Sequence, residues 1–387
     1  MELQKTIVII GGGYAGINLI TQLKKEFSNQ LNKDIKIILI DKNAYHLKKV
    51  KLFKAIVEEN VNMLHVPLTY YCGPEIEFIQ GVLTNIHQQD QKIFLKVETG
   101  EEISIHYDHL VLALGSVVKQ VSLESGGISL NSIQNARKIR EDLINKLHSG
   151  INNLRIAIVG GGITGIETSA ELMHWLKMEA LNQGIPPGNI EIALFNNKDQ
   201  LLCELPIKIS KRLENRLIEL GVSIHHHREV TTFQEGKLHF ANGEMTNADY
   251  CIWTVGVKPH PSLQTLDLTL TEDGKVVTDS SYHCIHNNQI YSIGDCAHII
   301  DPSTGELAGM TCKEAISQAQ QLVKIIKGDI QGYRTNVHRT IPTLYCIGLG
   351  PTEGMVWTQK WGIDIVISGK IGAKIREYTW NLASIHH

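Results

Sequence analysis

The sequence predicts an α/β protein built from two copies of one strand–helix–strand unit, and three observations carry that prediction. Residues 6–16 read TIVIIGGGYAG and residues 155–165 read RIAIVGGGITG, each a β-branched run ending in G-x-G-x-x-G. Apolar residues then recur at helical spacing (Ile17, Ile20, Leu23, Phe27; Ile166, Ala170, Met173, Leu176) before a second apolar strand, IKIILI at 35–40 and IEIALF at 190–195. Finally, DHLVLALG and DYCIWTVG repeat one acid–strand–glycine pattern, with seven positions from Asp108 to Gly115 and from Asp249 to Gly256.

The glycines at each strand–helix junction have separate physical tasks. The first (Gly11, Gly160) permits a tight turn, and the second (Gly13, Gly162) lets a pyrophosphate approach the backbone. The third (Gly16, Gly165) lets the helix lie close to the strand. The first helical turns, at Tyr14 and Ala15 and at Ile163 and Thr164, offer N–H groups and a positive dipole end to phosphate. Both units are therefore read as Rossmann-like dinucleotide-binding domains. Asp41 ends the second strand of the first unit, where an acid takes the adenosine ribose hydroxyls. Thr99-Gly100 and Asn242-Gly243 mark turns in the hairpin-rich stretches 92–108 and 237–250.

Composition narrows the class. The chain has 387 residues with 37 Lys+Arg against 40 Asp+Glu, a net charge of −3. That balance argues against a disordered chain or a basic nucleic-acid binder, so no nucleic-acid partner is expected. No apolar run reaches the length of a membrane span, and the N-terminus lacks signal-peptide features, so a cytoplasmic protein is expected. The seven dispersed cysteines, with no CxxC pair, read as free and mostly buried thiols.

Five motifs stand in a fixed order: GGGYAG at 11–16, LALG at 112–115, GGGITG at 160–165, WTVGVKPHP at 253–261 and IYSIGDCA at 290–297. In that order the chain resembles the two-dinucleotide-binding-domain flavoproteins, the pyridine nucleotide–disulfide oxidoreductase superfamily, over about residues 5–328. The resemblance implies FAD on the first domain and NAD(P)H on the second. It implies a discontinuous FAD domain (1–118 and 262–334), an NAD(P)H domain at 152–261 and a C-terminal α+β tail at 335–387. Cofactor contacts are expected at Gly11, Gly13, Tyr14, Ala15, Gly16, Asp41, Lys42, His46, Val82 and Gly115. Others are expected at Gly160, Gly162, Ile163, Thr164, Gly165, Asn196, Gly256, Gly294, Asp295, Thr311 and Cys312, with Asp295 on the ribityl chain of FAD.

Branches of the superfamily separate on a few residues. The first helix, YAGINLITQLKKEF, has no Cys, which excludes the dithiol of the disulfide reductases there. No cysteine lies between 73 and 202, where a sulfide:quinone oxidoreductase is expected to keep one of its pair. IDKNAYHLKKVKLF (40–53) and GIETSAEL (165–172) are similar to the type II NADH:quinone oxidoreductases. That resemblance implies NADH oxidation through FAD with a quinone or other small electron acceptor. The cofactor carries the chemistry and the protein positions and tunes it.

The expected catalytic residues are Glu167, Lys313 and Gln318. Glu167 is expected either to face the ring stack, holding the nicotinamide carboxamide or assisting proton delivery, or to sit as a dipole-stabilised helix acid. The helix from Thr311 is implied to aim its positive end at the flavin. There Ala315 and Gln318 fit the branch pattern and Lys313 replaces its first Gln, either pairing with reduced flavin or staying solvated. His46 with Lys48, Lys49 and Lys51 is expected either to face the cofactor mouth or, as such runs more often do, to form a solvated face.

In the second unit Asn196-Asn197-Lys198 stands where an NADH site has an acid, so NADPH is admitted beside NADH, with NADH expected first. His225, His226 and His227 are expected along an exposed strand edge, without a metal. Near the C-terminus Trp357 and Trp361 mark a hairpin. Ile371, Ile375, Tyr378, Leu382 and Ile385 then form a helical stripe beside Lys370, Lys374, Arg376 and Trp380. The stripe suits either peripheral contact with the inner face of the cell membrane or docking on the FAD domain, and this region is also where a homodimer contact is expected. Two alternatives remain at this point: a soluble reductase of a small redox protein, and a nucleotide-binding sensor with little turnover.

Overall fold

The computed structural model describes residues 4–119, 122–149, 153–333 and 337–385. The expected boundaries at 152, 334 and 335 lie outside the described residues. The fold is α/β with two nucleotide-binding sheets and a C-terminal α+β unit.

The larger sheet has eight strands. At its centre Asn287–Ser292, His109–Leu112, Lys5–Ile10, Ile35–Asp41 and the start of Glu77–His87 run parallel. Ile290 pairs with Leu110, so a late segment completes an early sheet and the first domain is discontinuous. The meander Lys92–Val97 and Glu102–His106 closes one edge. The helix Tyr14–Glu26 buries Leu19, Ile20 and Leu23 in one cluster with Ala319, Leu322 and Val323 of the helix Cys312–Gln331.

The second sheet has five parallel strands in the order Ile128–Ser129, Tyr250–Trp253, Leu154–Val159, Ile190–Phe195 and Val222–His225. Its first strand and the helix Ile133–His148 precede the span expected from the sequence. That helix was legible: Ser132 caps it by accepting from Asn135 N, and Ile133, Ala136, Ile139, Leu143 and Leu147 form its buried face.

The C-terminal unit is an antiparallel sheet, Leu344–Gly348, Gly354–Lys360 and Ile363–Ser368, followed by the helix Gly369–Ser384. Trp361 and Gly362 both have positive φ, +51° and +74°, as a two-residue hairpin turn matched to strand twist requires. The helix buries Gly372, Arg376, Trp380 and Ala383. It is tied to the first domain through Asn18 Nδ2 to Ala383 O (3.1 Å), Tyr71 Oη to Ser384 O (2.7 Å) and Lys51 Nζ to Asn381 Oδ1 (2.9 Å). Docking therefore uses a different face from the predicted stripe, which leaves Ile371, Tyr378 and Leu382 exposed. Arg376 and Trp380 do not flank that stripe, because both are buried beneath the helix. Among the described residues no helix is long and apolar enough to cross a membrane. All seven cysteines are free and five are buried.

Candidate active site between the two sheets

Both glycine junctions open onto one cleft of about 2060 Å³. The two junctions are built alike. Gly11 N donates to Ile40 O (2.7 Å) and Gly160 N to Phe195 O (2.9 Å), which makes Asp41 and Asn196 equivalent positions. Gly11 and Gly160 have φ of +113° and +126°, and a side chain on either would strike the backbone of Ala113 or Thr254. A Cβ on Gly16 or Gly165 would strike the carbonyl of Gly11 or Gly160. Gly13 and Gly162 face open space, which leaves their backbone approachable from the cleft.

On the first side Asp41 Oδ2 accepts from Gly12 N and Oδ1 from Asn43 N, both at 2.7 Å. His46 and Lys48 do not lie on a solvated face, because the chain folds under the cleft here, whereas Lys49 is exposed and Lys51 half-buried. The strand Tyr45–Leu47 pairs with His65–Pro67 and the turn Lys49–Lys51 follows. His46 is buried, with Nδ1 3.0 Å from Gly12 O and its ring edge-on to Tyr14. Burial lowers its pKa to about 4, so it is neutral at pH 7. Lys48 is buried, Lys49 Nζ donates to Ser116 O (3.0 Å), and Lys51 reaches the C-terminal helix.

Asp295 lines the cleft and its Oδ2 accepts from Ser116 Oγ at 2.6 Å. Gln318 does not line the cleft; its Oε1 accepts from Gly294 N (2.7 Å) and so holds the turn that carries Asp295. These residues fit FAD. An acid stands at the ribose position and the backbone is open at Gly13. His46 Nε2 and Glu314 Oε2 are buried atoms of cleft residues with no hydrogen-bond partner among the described residues.

The helix Cys312–Gln331 points its N-terminus into the same cleft, capped by Thr311 Oγ1 accepting from Glu314 N. Lys313 is not solvated: it donates to Leu344 O (2.6 Å) and lies 3.5 Å from Cys346 Sγ. Burial lowers the Lys313 pKa and raises that of Cys312. Glu167 also lines the cleft, yet both its oxygens are occupied. Oε1 accepts from Gly348 N and Arg376 Nε, each at 2.7 Å, and Oε2 accepts from Arg376 Nη2 at 2.9 Å.

Lys42, Val82, Gly115 and Gly256 line the cleft as well, together with Ile163 and Thr164. On the second side Asn196 is buried at its wall. The histidine run lies on a strand edge only in part. His225 is exposed and ends the edge strand Val222–His225, its ring stacked on Phe195, whereas His226 and His227 lie beyond the strand and His227 has a φ of +55°. His226 turns inward, with Nδ1 3.1 Å from Asn196 Nδ2 and Nε2 3.2 Å from Glu214 Oε1. Among the described residues no group of three His, Cys, Asp or Glu is placed to hold a metal ion. Ser116, Arg228, Cys346 and Arg376 line the cleft without having been expected there, since they fall outside the motifs.

The chain is 26% identical over 323 residues to the NADH dehydrogenase-like protein YutJ of Bacillus subtilis, covering 84% of this chain and 83% of that one. It is 28% identical over 360 residues to the type II NADH:quinone oxidoreductase of Haemophilus influenzae, covering 83% and 80%. Among solved structures, NDH2 from Plasmodium falciparum in complex with NADH superposes with a TM-score of 0.82 at 15% identity, covering 98% of this chain and 94% of that one. The model of the pyridine nucleotide-disulphide oxidoreductase family matches residues 5–323, and the chain belongs to that family.

Proposed function

We propose that this protein is an FAD-dependent NADH:quinone oxidoreductase of the type II kind. The observation that carries the reading is the pairing of two equivalent glycine cradles on one continuous cleft, so that two nucleotides meet there. The names of the relatives support it. Bound FAD would supply the two-electron chemistry, accepting hydride from a nicotinamide and passing electrons to a quinone. The protein's part is positional. Gly13, Asp41, Ser116 and Asp295 would hold FAD, and Gly162 with the first turn of Ile163–Asn182 would take the second pyrophosphate. Thr311, Cys312 and Lys313 present a helix N-terminus and a half-buried ammonium to the cleft, favouring negative charge there. Glu167 serves to hold the C-terminal unit over the cleft, because its carboxylate is paired with Arg376 and Gly348 N.

We propose further that the enzyme meets its quinone at a membrane surface. Trp361 at the hairpin tip is 87% exposed, and Ile363, Ile371 and Tyr378 are exposed by 62% or more. Lys370 and Lys374 stand beside them, a pattern suited to an interface with anionic lipid. The test is anaerobic stopped-flow: NADH should bleach the flavin absorbance, and a short-chain quinone should restore it. Failure of NADH to bleach the flavin overturns the dehydrogenase reading. Failure of quinone alone to restore it overturns the acceptor.

A further inference from the structure

We propose that the second nucleotide site is built to accept a 2′-phosphate, so that NADPH is a substrate alongside NADH. The proposal rests on the dehydrogenase reading and concerns the corner of the cleft formed by Asn196, Lys198 and Arg228. Asn196 occupies the position that Asp41 holds in the first unit, as the paired bonds from Gly11 and Gly160 establish. At this strand end a carboxylate takes the two ribose hydroxyls of NADH and repels a 2′-phosphate.

The loop around Asn196 is shaped for an amide. Its Nδ2 donates to Gln200 O (2.9 Å) and Lys198 O (3.2 Å) and lies 3.1 Å from His226 Nδ1. A carboxylate oxygen in that place would face two carbonyl oxygens and lose both bonds to them. Neutrality at the ribose position is therefore a built feature of this loop.

Cations stand where the phosphate would arrive. Arg228 N donates to Asn196 O (3.0 Å), and His227 N to Lys198 O (3.3 Å), which fastens the Arg228 loop against the Asn196 loop. Arg228 and Lys198 both line the cleft. The Arg228 guanidinium lies over the Phe240 ring at 5.3 Å and pairs with Glu244. That pair is solvent-exposed, and such pairs contribute little. A phosphate dianion offers the same guanidinium a stronger, bidentate partner. Of the acids nearby, Glu214 is taken by Leu201 N, Ser210 Oγ and His226, and Asp199 lies 3.6 Å from His227 Nδ1, while Glu204 and Glu229 line the cleft and offset part of the positive charge.

The test compares 2′,5′-ADP with 5′-AMP by titration calorimetry on the FAD-loaded protein, so that it reads binding and not turnover. The 2′,5′-ADP should bind about tenfold tighter or better, and NADPH should bleach the flavin with saturation. Arg228→Ala should bring the two affinities within about threefold and lower the NADPH:NADH preference about tenfold. Arg228→Lys should recover part of that preference, and Asn196→Glu should turn it toward NADH. Equal or weaker binding of 2′,5′-ADP by the parent, or no effect of Arg228→Ala on the ratio, overturns the proposal. If NADH itself fails to bleach the flavin, the dehydrogenase reading falls, while the adenosine phosphate comparison still decides this one.

Discussion

Glu167 and Arg376 form a bidentate pair, at 2.7 and 2.9 Å, between the helix of the second glycine junction and the C-terminal helix. The Glu167 side chain is 2% exposed and that of Arg376 8%. The same carboxylate accepts from Gly348 N in the C-terminal sheet. One acid thus joins the second domain to both parts of the C-terminal unit, whose helix is also bonded to the first domain. Such a pair is dear to desolvate and dearer to break. Arg376→Ala leaves a buried carboxylate with a single donor and should cost about 3–5 kcal/mol in denaturant unfolding. Replacing both residues by leucine should cost less than the single change. A double variant no more stable than Arg376→Ala would show that the charges contribute through something other than each other.

The glycines of the second junction differ in what a side chain would do, and that difference is testable. Gly162 has open space at its Cβ position and a φ of −80°, so Gly162→Val should fold and keep FAD. It should lose flavin reduction by NADH at least about a hundredfold, because the branched side chain fills the space meant for pyrophosphate. Gly165→Val, by contrast, drives a side chain into Gly160 O and should reduce soluble yield. Loss of flavin from Gly162→Val would place the two nucleotides on the wrong sheets.

Asp295→Ala should lose FAD on gel filtration, read as the ratio of flavin to protein absorbance. The carboxylate lines the cleft and, among the described residues, bonds only with Ser116 Oγ, which leaves its other oxygen for a ligand hydroxyl. Ser116→Ala should weaken retention by about three- to tenfold, the scale of one hydrogen bond. Full retention in Asp295→Ala would remove this residue from the site.

What the sequence made legible follows from where the chemistry is local. The turn and helix packing at both glycine junctions read correctly because they are set within six consecutive residues, and the structure gives Gly11 and Gly160 the same place in the turn. The buried state of His46 and Lys48 was hidden. A run of polar residues after a strand looks solvated until a distant strand, His65–Pro67, covers it. The ion pair of Glu167 was hidden for a related reason. Its partner stands 209 positions away on a helix whose apolar stripe pointed to the opposite face. Arg228 was missed because it belongs to no motif; backbone bonds from Arg228 to Asn196 and from His227 to Lys198 bring it to the cleft.

His283 couples stability to pH on the far edge of the first sheet. Its Nε2 lies 3.0 Å from Asp329 Oδ2 and its Nδ1 3.4 Å from Asp279 Oδ2. Burial alone would lower its pKa, but the bonds to Asp279 and Asp329 outweigh that and hold it at about 9, above the ordinary 6.5. The raised pKa means the charged form is favoured in the fold. Its contribution is complete below about pH 6.5 and disappears as pH rises through about 9. His283→Gln should be less stable than the parent at pH 6, and the gap should close by pH 10. A gap that stays constant across this range would show that protonation of His283 is not linked to folding.

The exposed stripe of the C-terminal helix leads to the last expectation. Ile371, Tyr378 and Leu382 occupy positions i, i+7 and i+11, which share one helical face, and the opposite face is buried through Gly372, Arg376 and Trp380. A substitution on the outer face should therefore leave docking, and the Glu167 pair beneath it, intact. Each apolar side chain that leaves water contributes about 1.5–3 kcal/mol when fully buried. Even half-insertion makes two such residues worth more than tenfold in partitioning. Ile371→Glu with Leu382→Glu should cut co-sedimentation with vesicles of phosphatidylethanolamine and phosphatidylglycerol by at least about tenfold. Turnover of a water-soluble short-chain quinone should stay near that of the parent, since the cleft is untouched. Lys370 and Lys374 add a salt-dependent part, so binding by the parent should weaken between low and high ionic strength. Equal sedimentation of parent and variant would show that this face does not meet lipid, and a matching fall in soluble turnover would show that it belongs to the cleft instead.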